Sequence, residues 1–314
     1  MSRTVDAECL MVEFAGLKLR NPVLAASGTF GYGLEMQSYV DLEKIGGFVA
    51  KSLTLEPRYG NSPPRIAEVS SGMLNSISLE NVGVEAFIRQ RLPEVPQEAL
   101  VIASVFGTEI AHYAEACERL SSEDRVAAIE INASCPHVKS GGIEFGQSAQ
   151  ILGKLVREVR SATVGTLLVK LSPNVTDIAE MARVCEAEGA DGISLINALQ
   201  AFDVDLKERR PVLWNGLGGL SGPAILPVAL RMVWQCFQAV SIPICGIGGI
   251  SSAEDALKFI LCGARAIQVG TANYLNPCST EAIVGGLLDY CQENRVGSIQ
   301  DLVGCLQPPR WKVS

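Results

Sequence analysis

The fold class that this sequence predicts is a closed (β/α)8 barrel, the TIM-barrel architecture. Three observations predict it. Eight short apolar runs recur along the 314 residues. Amphipathic helical stretches separate most of them, which implies a parallel sheet built from crossover units. Each run gives way to small, polar or lysine residues, and barrel enzymes place their chemistry at those carboxyl ends.

Taken in order, the runs at 22–26 and 47–50 end in Ser27-Gly28 and Lys51-Ser52. The run at 100–103 leads to Ser104, and the run at 128–131 leads to Asn132. The fifth, 167–169, ends at Lys170, and the sixth, 192–196, closes on Ile196 and Asn197. The last two, 242–245 and 266–269, are followed by Gly248-Gly249 and Gly270-Thr271. Helices are expected at 110–120, 150–160, 175–188, 223–237, 253–262 and 281–294. The third stops at Gly189. The fifth has Ser252 as its amino-terminal cap and Gly263 as a left-handed stop. Two stretches, 55–81 and 199–222, are longer than ordinary strand–helix connections. They are expected to be irregular loops that cover a pocket. With 48% hydrophobic residues and no linker composition, the chain reads as a single domain over 1–314.

Bulk properties narrow the function. A net charge of −8 without blocks of like charge excludes a basic nucleic-acid surface and recruitment to anionic membranes. No apolar run reaches the roughly 18 residues of a membrane span. The amino terminus, MSRTVDAECLMVEF, lacks the features of a signal peptide. The ten cysteines are scattered without a C-x-x-C pair, so metal and iron–sulfur ligation by this chain are not expected. Nine of them read as reduced, buried thiols of a cytoplasmic protein. The tenth, Cys135, lies three residues beyond Asn132 at a strand end and is followed by Pro136. A thiol beside an amide at that place suggests proton chemistry.

Glycine-rich segments occur at 218–222 and 246–249, each leading into a helix, and Gly270-Thr271 completes the set. Backbone N–H groups at a helix start hold phosphate, and glycine permits close approach. Barrels commonly bind phosphate after the seventh and eighth strands. A dinucleotide-binding reading of 246–249 fails on context, because the segment comes late and no acidic residue follows at the required distance. Lys51 and Lys170 bring positive charge to strand ends, where a cation stabilises an anionic reduced flavin.

Six motifs in order carry a resemblance. They are ASGTFGYG (26–33), GMLNSISLEN (72–81), INASCPHVKSGG (131–142), VKLSPNVTDI (169–178), GGLSGPAI (218–225) and VGTANY (269–274). Together they resemble dihydroorotate dehydrogenase, most closely the catalytic subunit of the NAD-linked class 1B. The resemblance implies an FMN-binding barrel that oxidises dihydroorotate to orotate in pyrimidine synthesis. It implies that Cys135 takes the proton from carbon 5 while a hydride leaves carbon 6 for the flavin. Lys51, Asn75, Ser76, Ile77, Ser78, Leu79, Asn132, Asn197 and Ala198 would contact the substrate. Ser27, Gly28, Lys51, Ser52, Ser104, Asn132, Lys170, Ile196, Gly222, Gly248, Gly249, Gly270 and Thr271 would hold FMN. It further implies a homodimer joined to a partner subunit carrying FAD and a [2Fe–2S] cluster, a heterotetramer that delivers electrons to NAD.

The chemistry agrees with that implication. Carbon 5 lies next to a carbonyl, so losing its proton builds enolate charge that amide and ammonium donors stabilise in a dry pocket. A thiol, with its ordinary pKa of about 8.5, serves as base when its surroundings favour the thiolate.

Four positions depart from the family pattern. His137 stands in place of Asn, Ala198 in place of Thr or Ser, Ser78 in place of Gly, and Ser104 in place of Asn. His137 is either a substrate contact or a pocket-edge residue. His112 is expected on a solvated helix face. Alternatives are a dihydropyrimidine (dihydrouracil-type) dehydrogenase, a fumarate-linked dihydroorotate dehydrogenase, a non-redox barrel for a phosphorylated metabolite, and a flavoprotein without turnover.

Overall fold

A computed structural model of the protein describes residues 7–133 and 145–307. The chain opens with a hairpin, β1 (Val12–Phe14) and β2 (Leu17–Leu19). Ala15 and Gly16 turn it, both at positive φ, as the two central residues of a tight hairpin turn require. Its apolar side chains, among them Phe14 and Leu19, are fully buried. Thr166, at the start of a barrel strand, donates its hydroxyl to Ala15 O at 3.0 Å, so the hairpin caps the amino-terminal end of the barrel.

The remaining strands follow in chain order. They are β3 (Val23–Ala25), β4 (Gly47–Val49), β5 (Ile66–Val69), β6 (Gly72–Asn75), β7 (Val101–Val105), β8 (Val126–Asn132) and β9 (Thr166–Lys170). Then come β10 (Gly192–Leu195), β11 (Leu199–Ala201), β12 (Val204–Asp205), β13 (Arg210–Pro211), β14 (Gly218–Ser221), β15 (Ile244–Ile247) and β16 (Ala264–Val269). Eight of these, β3-β4-β7-β8-β9-β10-β15-β16, close into a ring of parallel neighbours. All eight predicted runs are barrel strands. Their near-continuous apolar content follows from burial on both faces, inward on the barrel interior and outward on the helices.

The helices are α1 (Val84–Ala86), α2 (Ile110–Ser121), α3 (Ala149–Ala162), α4 (Ile178–Ala187), α5 (Leu226–Phe237), α6 (Ala253–Leu261), α7 (Ala272–Leu275) and α8 (Ser279–Asn294). The six predicted helices correspond to α2 to α6 and α8, with a 3-10 turn, Pro223–Ile225, preceding α5. Asp177 caps α4 by accepting from Ala179 N and Glu180 N, and Ser252 caps α6 by accepting from Asp255 N. Gly189 and Gly263 both have positive φ, as helix stops in the left-handed region do.

The two long stretches are not irregular. They fold together into an antiparallel sheet of order β11-β14-β6-β5, while β12 and β13 form a small hairpin. Asn75 of β6 is in register with Gly219 of β14, so the loop after the second barrel strand is joined to the loop after the sixth. This sheet forms one wall above the carboxyl ends of the barrel.

Candidate active site

A cleft opens at the carboxyl ends of the barrel strands, with about 1320 Å³ of empty space including its open mouth. The floor is built from strand ends. Asn132 closes β8, Lys170 closes β9, and Asn197 follows β10. The antiparallel sheet supplies Met73, Asn75, Gly219 and Ser221 on the facing wall.

The amides on the floor are oriented by a hydrogen-bonded chain. Asn197 Nδ2 donates to Asn132 Oδ1 at 3.3 Å, and Asn132 Nδ2 donates to Ser52 Oγ at 3.3 Å. Ser52 Oγ lies 2.8 Å from Ser104 Oγ and 3.5 Å from Ser27 Oγ, which donates to Ala50 O at 2.8 Å. Asn197 Oδ1 accepts from Ala198 N at 2.9 Å. Below the chain, the fully buried Tyr113 donates its hydroxyl to Asn132 O at 2.9 Å, tying α2 to the strand end. On the wall, Asn75 Nδ2 reaches Gly219 O at 3.4 Å. Lys170 is only 5% exposed and lines the cleft, yet its ammonium has no hydrogen bond or ion pair to another described residue. A desolvated ammonium of this kind calls for an electron-rich partner in the cleft.

The three glycine segments converge at one end. A Cβ placed on Gly249 would lie 2.9 Å from Gly222 O, and one on Gly222 would lie 3.6 Å from Thr271 Cγ2. Thr271 Oγ1 donates to Ser221 Oγ at 2.7 Å. Gly222, Gly248 and Gly249 all line the cleft at positive φ, and a Cβ on each would lie within 3.0 Å of a protein atom, so backbone conformation and close packing both call for glycine there. Gly28 and Gly270 differ. A Cβ on Gly28 would meet nothing within 4 Å, and one on Gly270 only ordinary contacts at 3.7 and 3.8 Å. Both line the cleft, so at neither does the protein itself close off the space that a Cβ would take.

Most sequence-predicted site residues line this cleft: Ser27, Gly28, Lys51, Ser52, Asn75, Ile77, Ser78, Leu79, Asn132, Lys170, Ile196, Asn197, Ala198, Gly222, Gly248, Gly249, Gly270 and Thr271. Two do not. Ser104 is fully buried, because β7 runs to Val105 and places residue 104 inside the strand, beneath Ser52, rather than at its end. Ser76 is fully buried too, since Asn75 and Ile77 face the cleft and the residue between them points the other way. Cys135 and His137 lie outside the described residues. Ser78 adopts φ 70°, the left-handed region, which accounts for the glycine expected there. His112 is half-buried rather than solvated, with Nδ1 3.1 Å from Thr108 Oγ1. Ser221, Ser251 and Tyr274 also line the cleft and were not singled out from sequence. Ser221 and Ser251 were findable, as the polar residues beside Gly222 and Gly249 in the glycine segments.

Among the described cysteines, Cys9, Cys117, Cys185, Cys236, Cys245 and Cys291 are buried, Cys262 is half-buried, and Cys278 and Cys305 are exposed. Burial pushes the Cys236 and Cys291 thiols up to about 12 and raises Cys117, Cys185 and Cys245 further. Those five thiols stay protonated at neutral pH and are unsuited to base chemistry. No helix among the described residues is long and apolar enough to cross a membrane.

Comparison with known proteins adds a family. A family model described as dihydroorotate dehydrogenase matches residues 9–290. A dihydroorotate dehydrogenase B (NAD(+)), catalytic subunit, of Trichlorobacter lovleyi is 54% identical over 299 residues, covering 95% of this chain and 98% of the relative. Proteins of the same description from Geotalea uraniireducens and Geobacter sulfurreducens are 52% and 51% identical, with the same coverage of both chains.

Proposed function

The chain belongs to the dihydroorotate dehydrogenase family, and from that premise we propose that it is a flavin-dependent oxidoreductase converting dihydroorotate to orotate in pyrimidine synthesis. The observation that carries the reading is the cleft itself. One end is a glycine cradle open to an anion, and the other is a floor of oriented amides with a buried ammonium between them.

We infer FMN as the flavin, bound within one domain formed by the whole chain. The cradle of Gly222, Gly248, Gly249, Gly270 and Thr271 suits a terminal phosphate. Lys170 suits the electron-rich edge of the ring system, and Ser27, Gly28, Ser52 and Ile196 border the space between. FMN, when bound, supplies the two-electron acceptor that the protein side chains lack.

The chain's own residues do the rest. Cys135 takes the proton from carbon 5 on its sulfur. Lys51, Asn75, Asn132 and Asn197 hold the pyrimidine ring and donate to the oxygen that gains enolate charge. Because Asn132 and Asn197 are already locked to each other and to Ser52, their amide groups need no reorganisation as that charge grows. Ile77 and Leu79 exclude water from the same space, and Ser78 and Ala198 complete the substrate wall.

Electrons then leave to a second protein. The relatives' name, catalytic subunit, supports a partner, and we propose one carrying FAD and a [2Fe–2S] cluster, in a cytoplasmic heterotetramer around a homodimer of this chain. Tyr274, 49% exposed, and Leu275, 79% exposed, form an apolar rim where the cleft meets solvent, suited to such a docking contact.

The test is direct. The purified chain is expected to be yellow, and anaerobic dihydroorotate is expected to bleach it while dihydrouracil does not. A colourless protein, or equal bleaching by dihydrouracil, overturns the reading. Addition of fumarate should leave the bleached enzyme reduced; NAD with the co-expressed partner should reoxidise it.

A further inference from the structure

The barrel interior beneath the cleft floor contains a carboxylate that the proposed chemistry does not use. Glu130 is fully buried and stands two residues before Asn132 on β8, so it points to the same interior, one layer lower. Its Oε2 accepts from Ser194 Oγ of β10 at 2.7 Å and from Gln268 Nε2 of β16 at 2.9 Å. β8 and β16 lie on opposite sides of the closed ring, so this contact spans the barrel. Glu130 Oε1 and Gln268 Oε1 have no hydrogen-bond partner among the described residues.

A carboxylate in this position is costly to desolvate, and an aliphatic side chain would fill the layer without that cost. The compensating charge is close at hand. Ser194, which holds Glu130, is the register neighbour of Lys170 on β9. Lys170 is the buried ammonium that has no hydrogen bond or ion pair to another described residue. Both charges act on Cys245: burial raises that thiol most, Glu130 raises it further, and Lys170 lowers it. Ser194 thus links the two positions: it is bonded to Glu130 and in register with Lys170, and no ion pair joins the two charged groups among the described residues.

We propose that Glu130 is a positioning residue whose carboxylate balances the Lys170 ammonium across one layer of the barrel interior and so sets the net charge under the bound flavin. The second half of this statement rests on the functional reading above; the first half does not.

The experiment has a readout for each half. Glu130→Gln keeps the shape and removes the charge. In denaturant unfolding of the flavin-free chain, K170M should lower the folding equilibrium constant at least tenfold more in the Glu130 background than in the E130Q background. Additive effects overturn the proposed balance, whatever the protein's substrate proves to be. Should E130Q not fold, Glu130→Leu serves the same cycle with the same expected outcome.

In the FMN-loaded chain, E130Q should raise the flavin midpoint potential, because it withdraws a negative charge from beneath an anionic reduced form. A tenfold shift of the two-electron equilibrium corresponds to about 30 mV. S194A keeps the charge and removes one hydrogen bond, so its potential should stay at the wild-type value. An unchanged or lowered potential in E130Q, or an equal shift in S194A, overturns the electrostatic role.

Discussion

Gly270→Ala separates what the fold needs from what the cofactor needs. The residue has no positive φ, and the added Cβ would sit 3.7 Å from Ala26 Cβ and 3.8 Å from Thr29 Cγ2, both ordinary contacts. The protein therefore accepts the methyl, and a Gly-to-Ala change at a compatible site stabilises by about 0.4–1 kcal/mol through the unfolded state. The methyl nevertheless projects into the cleft lining beside Thr271. Losing one charge-assisted hydrogen bond from backbone to phosphate costs roughly 1.5–3 kcal/mol. That is about a ten- to hundredfold weaker Kd for FMN. The assay is flavin-fluorescence quenching on the flavin-free chain, with circular dichroism for Tm. Two controls bracket it. Gly249→Ala, at φ +75° with its Cβ 2.9 Å from Gly222 O and Leu226 N, should lower both Tm and affinity. Gly263→Ala, at φ +113° with its Cβ 2.1 Å from Phe237 Cγ, should lower Tm and leave the Kd of the folded fraction unchanged. A folded G270A with wild-type FMN affinity would refute the cradle.

Other expectations follow from the same geometry. Tyr113→Phe deletes the bond to Asn132 O and should cost about 1 kcal/mol in urea unfolding, with no loss refuting its role as a strut. Cys135→Ser should lower kcat by about 10²- to 10⁴-fold while FMN still binds; a wild-type rate would remove the thiol from the chemistry. Asp255 is raised by burial, but bonds from Lys258, Ser251 and Ser252 outweigh this and hold its carboxyl below the usual value. Its stabilisation is thus present above the unfolded pKa of about 3.9 and is lost as pH falls through the lower folded value. Asp255→Asn should lower the urea midpoint at pH 7, and the gap should close in strong acid; a gap that is constant with pH would contradict the linkage.

What the sequence disclosed, and what it hid, divides along the range of the interactions. Barrel strands announce themselves because they are buried on both faces and read as uninterrupted apolar runs. Helices such as α6 show their cap, Ser252, and their stop, Gly263, within a dozen residues. The hairpin of Val12–Phe14 and Leu17–Leu19 has strands too short to display a period. The antiparallel wall was invisible for another reason: Asn75 pairs with Gly219 across 144 residues, and neither segment carries a local sign of the other. At the site, residues at true strand ends were legible, while Ser104, expected at a strand end, lies inside β7, which continues to Val105. A single added residue turns a cleft position into a buried one.

The wall formed by β5, β6, β11 and β14 also sets a rule for anyone recombining this enzyme with its relatives. Each half completes the main-chain ladder of the other, with Leu74 against Leu220 at the seam. A chimera that imports residues 55–81 alone would inherit a mismatched edge. The segments at 55–81 and 199–222 are one transplantable module written in two distant pieces of the gene.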